Sequence, residues 1–231
     1  MGILSSNNTN DDENTTANDF HFPTSKKALI IFTRNPELGK VKTRLAKSVG
    51  DESALEIYKF LLNHTVKITE NLSVDKFVYY SENIAVNDIW NPQHFRKRLQ
   101  TGNELGEKMK NAFSEIFALG YTKAIIIGSD MFDLSQNDLE NAYNTLQTEQ
   151  VVIGPATDGG YYLLGMKDFI PNIFENKKWG TSTVLEETLK DLETKKFVLL
   201  EERNDVDYYG DIKDNDAFQQ FLPPYLDKNF L

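Results

Sequence analysis

The sequence predicts an α/β fold built on a doubly wound, mostly parallel sheet. Three observations carry this. Ala28–Phe32, Ala124–Ile127 and Val151–Ile153 are apolar without alternation, the pattern of strands covered on both faces. Amphipathic helical patterns lie between these runs and further strand candidates, so the chain alternates strand and helix. The motifs with chemical potential fall just after strands, where open α/β sheets bind ligands.

Phe77–Tyr80, Phe95–Leu99, Tyr161–Leu164 and Phe197–Leu200 complete the expected strands. Leu55, Tyr58, Leu62 and Val66 share one face of a helix near 52–71, and Leu105, Met109, Ala112, Phe113 and Phe117 do so near 104–119. Ser135 and Asp138 stand at capping spacing before a helix reaching about 147, and Thr183 and Glu186 match a capping box before a helix reaching about 193. Residues 1–26 are rich in Asn, Asp, Thr and Ser and read as a polar tail. Residues 27–231 read as a single domain.

The net charge is −10. Such a surface repels polyanions and argues against nucleic acid as a partner. It suits divalent cations, which take clustered oxygen ligands. There is no cysteine, which excludes disulfides, thiolate catalysis and cysteine-held zinc. No run approaches the ~20 apolar residues of a membrane span, and no basic-then-apolar segment opens the chain. The expected location is cytoplasmic. Gly2 followed by Ser6 fits the short myristoylation pattern, on which no weight is placed.

Four segments carry candidate chemistry. In the first, Phe32 to Arg44, the cations Arg34, Lys40, Lys42 and Arg44 crowd a loop shaped by Pro36 and Gly39. Its forked and point-charge donors suit a diphosphate; the alternative is a solvated basic helix start. It is not a Walker loop, because Val41 follows Gly39-Lys40. In the second, Gly128-Ser129-Asp130-Met131-Phe132-Asp133, Asp130 stands two residues past a buried strand and suits a Mg²⁺ ligand. Asp133 belongs to the loop before the Ser135 cap. In the third, Asp158 precedes Gly159, Gly160 and the strand opening Tyr161-Tyr162. It suits a base or a sugar-hydroxyl ligand, or a plain turn. In the fourth, Asp205-Val206-Asp207-Tyr208-Tyr209-Gly210-Asp211, alternation puts Asp205 and Asp207 on one side. Asp207 completes a metal site with Asp130 only if the fold unites them, and Asp211 is a candidate cap for the last helix. His64 sits in a helical pattern and reads as structural.

Taken together, FTRNPELGKVKTRL (32–45), QTGNELGEKM (100–109), GSDMFDL (128–134), GPATDGGYYLLGM (154–166), WGTSTVL (179–185) and DVDYYGDI (205–212) resemble the bacterial GT-A-like nucleotide-diphospho-sugar transferases, a group that includes the arsenosugar-biosynthesis glycosyltransferases. The resemblance spans about residues 28–216. It implies a Rossmann-like GT-A fold. It also implies a nucleotide held by Thr33, Arg34, Gly39, Lys42 and Arg44, and Mg²⁺ or Mn²⁺ held by Asp130. The ending is similar to that of several sugar cytidylyltransferases, which implies a metal role for Asp207. Gly159, Gly160, Tyr161, Trp179 and Thr181 are then the expected substrate contacts, with Asp158 or Glu107 positioning or deprotonating an acceptor. Two departures stand out: Met131-Phe132 replaces the usual Cys-Pro, and Tyr208 replaces the usual Thr. The expected activity is metal-dependent glycosyl transfer from a nucleotide-diphosphate sugar to a small-molecule acceptor. Nucleotidyl transfer to a sugar phosphate, or nucleotide binding without catalysis, are the alternatives.

Overall fold

The computed structural model describes residues 23–226; the tail reading over residues 1–22 and the Gly2 pattern lie outside them. Seven strands form one sheet: β1 (Lys27–Thr33), β2 (Asp75–Tyr80), β3 (Phe95–Leu99), β4 (Lys123–Gly128), β5 (Val151–Pro155), β6 (Tyr161–Met166) and β7 (Phe197–Leu199). Their order is β3-β2-β1-β4-β6-β5-β7. Every expected strand is present. All neighbours are parallel except β6, which runs antiparallel to both β4 and β5. The short Asp158-Gly159-Gly160 turn forces this reversal, since a tight turn joins antiparallel partners only.

Alternation along the strands divides the core. Leu29, Ile31, Val78, Tyr80, Ile125 and Ile127 pack on one face with Tyr58 and Leu62 of α2 (Asp51–Thr69) and Leu139 and Leu146 of α4 (Gln136–Thr148). Ala28, Ile30, Phe77, Tyr79 and Ile126 pack on the other with Met109, Phe113 and Ile116 of α3 (Leu105–Ala118). Leu189 of α5 (Val184–Asp191) joins this second face. The sheet is therefore doubly wound. A third cluster binds α1 (Thr43–Val49) and α2 to Val206, Ile212 and Phe218, the last on α6 (Asp216–Gln219).

Several local expectations are refined. The Ser135–Asp138 capping box forms in both directions. The Thr183–Glu186 box does not: Thr183 makes no cap hydrogen bond, and its hydroxyl instead lies 3.0 Å from that of Thr181. Asp211 does not cap the last helix, whose cap is Asn215. The Asp211 carboxylate instead accepts from the amides of Asp207 (2.9 Å) and Tyr208 (2.6 Å), so it shapes the segment carrying Asp207. The tail boundary at residue 27 cuts an anchored stretch, because the Thr24 amide donates to Asp75 at 2.8 Å. Among the described residues no helix is long and apolar enough to cross a membrane.

Candidate active site

The strand order reverses direction of growth between β1 and β4, since β1 is followed in sequence by its neighbour β2 while β4 lies on its other side. Crevices open beyond the carboxyl ends of strands at such a point. A cavity of about 910 Å³ lies there. Thr33 and Arg34 follow from β1, Gly128, Ser129 and Asp130 from β4, and Gln100, Leu105 and Lys108 from the β3–α3 wall. Asp158, Asp205 and Asp207 close it from the other side.

The basic loop is built on buried hydroxyls. Tyr58 Oη lies 3.4 Å from Thr33 Oγ1 and 3.3 Å from Ser129 Oγ, and it accepts from the Arg34 amide at 2.9 Å. This network fixes the exit of β1 to that of β4. Asn35 ties the loop sideways, donating to Asn83 O at 2.8 Å. Gly39 turns the chain at φ 73° and does not itself line the cavity. Lys42 stands at φ 47°, a left-handed conformation that a lysine adopts at a cost of about 1 kcal/mol. That conformation accompanies a side chain turned inward, with only 6% exposed and its ammonium 2.9 Å from Asp130. Burial pushes the Lys42 pKa down, but Asp130, with Asp205 and Asp207, outweighs this and holds it above the ordinary lysine value.

Arg44 donates to Asp207 at 2.6 Å and lies over the Tyr208 ring at 5.7 Å. Tyr208, one of the two departures, thus supports a cation of the loop. The other departure is absorbed by packing: Met131 is buried, and Phe132 stacks among Phe60, Phe218 and His64 at 5.6, 4.9 and 5.2 Å. His64 meets Leu134 O at 2.9 Å, a structural role.

The fold thus brings Asp130 and Asp207 to one cavity, together with Asp205, for which the motif pattern alone suggests no role. Burial, and then repulsion from Asp130, Asp207 and Asp158 that Lys42 offsets only in part, pushes Asp205 up to about 6. Alternation with Asp207 was the available signal for it. Lys108 was also overlooked; its signal was its place in the QTGNELGEKM string. Arg34 and Lys108 line the cavity without a side-chain ion pair among the described residues, unlike Lys42 and Arg44.

A second chamber, about 180 Å³, adjoins the first and shares Leu105, Gly128, Asp130, Asp158 and Asp205 with it. Gly160, Tyr161, Trp179 and Thr181 line this chamber, as do Met109, Met131 and Val184. Asp158 performs its turn role, accepting from the Gly160 amide at 2.8 Å, and still faces both chambers. Gly159 is not a lining residue. A Cβ there would lie 2.2 Å from Ser182 O, so its φ of 87° and missing side chain let the turn lie against the start of α5. Glu107 lines neither chamber; its carboxylate accepts from the Asn103 amide at 2.7 Å and stabilises the turn before α3. Asp158 thus faces both chambers, and Glu107 faces neither.

The family described as "Uncharacterized protein conserved in bacteria (DUF2064)" matches residues 65–181, about half of the chain. No curated protein matches in sequence. Among solved structures the chain is similar to a proposed nucleotide-diphospho-sugar transferase of Desulfovibrio desulfuricans. The two are 30% identical with a TM-score of 0.76, over 85% of this chain and 91% of that one. CMP:2-keto-3-deoxy-manno-octonic acid synthetase in complex with CTP shares the fold at 9% identity, with a TM-score of 0.53 over 85% of this chain and 99% of that one. So does 4-diphosphocytidyl-2C-methyl-D-erythritol synthase of Anaerococcus prevotii, at 10% identity and a TM-score of 0.51 over 84% and 97%. The chain belongs to the bacterial DUF2064 family, on a GT-A-like, nucleotide-diphospho-sugar transferase type of fold.

Proposed function

We propose that the protein transfers a glycosyl group from a nucleotide-diphosphate sugar to a small acceptor with the help of a divalent cation. The observation that carries this reading is the joining of two unlike chambers. One is large and rich in cations, the other small and aromatic, and they meet at Asp130, Asp158 and Asp205. A cavity of about 910 Å³ is of the size that holds a ligand as large as a nucleotide sugar. Arg34 and Lys108 are available to its phosphates, and Lys42 and Arg44 become available when their carboxylate partners are engaged otherwise. Charge-assisted bonds of this kind favour a departing diphosphate.

The donor set fits a hard cation. Asp130 and Asp207 offer oxygen ligands, and Asp205 lines the same cavity beside them. Among the described residues no group of three or more acidic, histidine or cysteine side chains is arranged to hold an ion. Phosphate oxygens and water would complete the shell around two carboxylates, as is usual for Mg²⁺. When bound, the cation would supply charge neutralisation at the diphosphate.

The chain's own groups do the rest. The acceptor O–H bond breaks, its proton passes to the Asp158 carboxylate, and the oxygen bonds the anomeric carbon. The bond from that carbon to the diphosphate breaks, and the diphosphate leaves with the electron pair toward Arg34, Lys108 and the loop. Incubation with a panel of nucleotide sugars and acceptors tests this reading. Nucleoside diphosphate release supports it. Pyrophosphate release from a nucleoside triphosphate and a sugar phosphate establishes nucleotidyl transfer instead.

A further inference from the structure

We infer that the small chamber receives an uncharged, hydroxyl-bearing acceptor about one ring in size, with an apolar face, and that it discriminates against phosphorylated acceptors. The inference rests on the functional reading above and adds the chemical class of the second substrate.

Tyr161 and Trp179 meet edge to face at 6.4 Å, and Met109, Met131 and Val184 extend the apolar wall. Among the described residues lining the chamber there is no lysine, arginine or histidine. Two cations that touch lining residues have carboxylate partners of their own. Lys42 is held by Asp130 at 2.9 Å. Arg203, over the Tyr162 ring at 5.8 Å from its centre, grips Asp138 with two bonds of 3.0 and 2.9 Å. Three carboxylates, Asp130, Asp158 and Asp205, stand at the mouth. Inside that mouth, against the apolar wall, an anionic group would lose its hydration and find no cationic side chain to pair with; a buried charge is stable only when paired. An alcohol meets none of these penalties. Its ring carbons gain from contact with the aromatic wall, and its hydroxyl finds an acceptor in Asp158. A cationic amine would meet the carboxylates only at the mouth, and would lose its hydration against the wall of Tyr161, Trp179, Met109 and Val184.

The two chambers thereby divide the labour by charge: phosphate on the side with free cations, the neutral reactant on the side without them. Thr181, exposed on the rim, is a position where this selectivity can be reversed.

The test uses the fluorescence of Trp179. The only other tryptophan, Trp90, is 2% exposed and lines neither chamber. The full chain is titrated with a phenyl glucoside, its phosphate ester and its amino counterpart, with Trp179→Phe as the control that removes the reporter. Nucleoside diphosphate binding is measured separately. The expected result is a Trp179-dependent signal from the glucoside, with the phosphate ester bound at least about tenfold more weakly because its charge goes unpaired. Thr181→Lys narrows or inverts that ratio. The inference is overturned if the ester or the amine binds as tightly as the glucoside, or if none of the three changes the Trp179 signal. Failure of nucleoside diphosphate to bind, with the glucoside preference intact, overturns the donor reading and leaves the chamber assignment standing.

Discussion

The Lys42 ammonium lies 2.9 Å from the Asp130 carboxylate, with the lysine side chain 6% exposed and the aspartate 37% exposed. The pair joins the loop after β1 to the end of β4 across the floor of the larger chamber. It also means that each partner occupies the other's ligand-binding capacity until a ligand separates them. Lys42→Met should lower stability by no more than about 1 kcal/mol, because the Asp130 carboxylate, 37% exposed, loses its partner but keeps much of its hydration. Chemical denaturation measures this. Asp130→Asn in the same chain should recover part of the loss, and no recovery would show that packing of the Lys42 stem dominates.

Arg34 and Lys108 should behave differently. Neither holds an ion pair among the described residues, so Arg34→Ala and Lys108→Ala should leave unfolding nearly unchanged. Each should weaken nucleoside diphosphate binding by about 1.5–3 kcal/mol, the range for hydrogen bonds to charged groups, while nucleoside binding changes little. Calorimetric titration of both ligands separates charge recognition from general damage.

Asp158→Asn keeps the side-chain oxygen that accepts from the Gly160 amide and removes the charge. Turnover should fall by about 10²-fold or more if Asp158 takes the acceptor proton, with nucleotide affinity retained. Unchanged turnover would leave Asp158 as the turn residue alone.

Acid stability should depend on Asp75. Burial pushes its pKa up, but the Thr24 hydroxyl and amide, Tyr121 and Arg96 outweigh it and lower the value from 3.8 to about 2. Because the folded value is the depressed one, the contribution is complete above the unfolded pKa. It is lost as pH falls through the window from about 4 to about 2. Asp75→Asn should reduce stability at neutral pH and flatten the acid limb of a melting-temperature profile. The same contacts bear on truncation: removing residues 1–22 keeps Thr24, and removing residues 1–26 deletes an anchor, so the second variant should melt lower.

Much of this arrangement could be read in the sequence, for physical reasons. Unbroken apolar runs such as Leu29–Ile31 and Ile125–Ile127 report burial on both faces. The helix near 104–119 shows its face at Met109, Ala112 and Phe113, all buried in the structure. Arg34, Lys42, Asp130 and Asp158 were visible because charged residues just beyond buried strands are held at the rim of the sheet. The antiparallel run of β6 was not anticipated, although Asp-Gly-Gly signals a tight turn. The motifs suggest an acceptor-positioning or base role for Glu107 and a substrate contact for Gly159; in the structure Glu107 accepts from the Asn103 amide and Gly159 lies against Ser182. Asp205, Lys108 and Tyr58 carry weaker signals in the sequence, because their importance comes from partners on other elements, as where Tyr58 Oη meets the Arg34 amide and Ser129.

The most direct test of the central claim is a calorimetric titration of nucleoside diphosphate into the full chain, once with Mg²⁺ or Mn²⁺ and once with chelator. The account predicts binding with metal that weakens by at least about tenfold with chelator, since Asp130, Asp205 and Asp207 then repel the phosphates. It predicts further that this metal dependence largely disappears in Asp130→Ala and Asp207→Ala. Equal affinity with and without metal, or a metal dependence untouched by both substitutions, would contradict it.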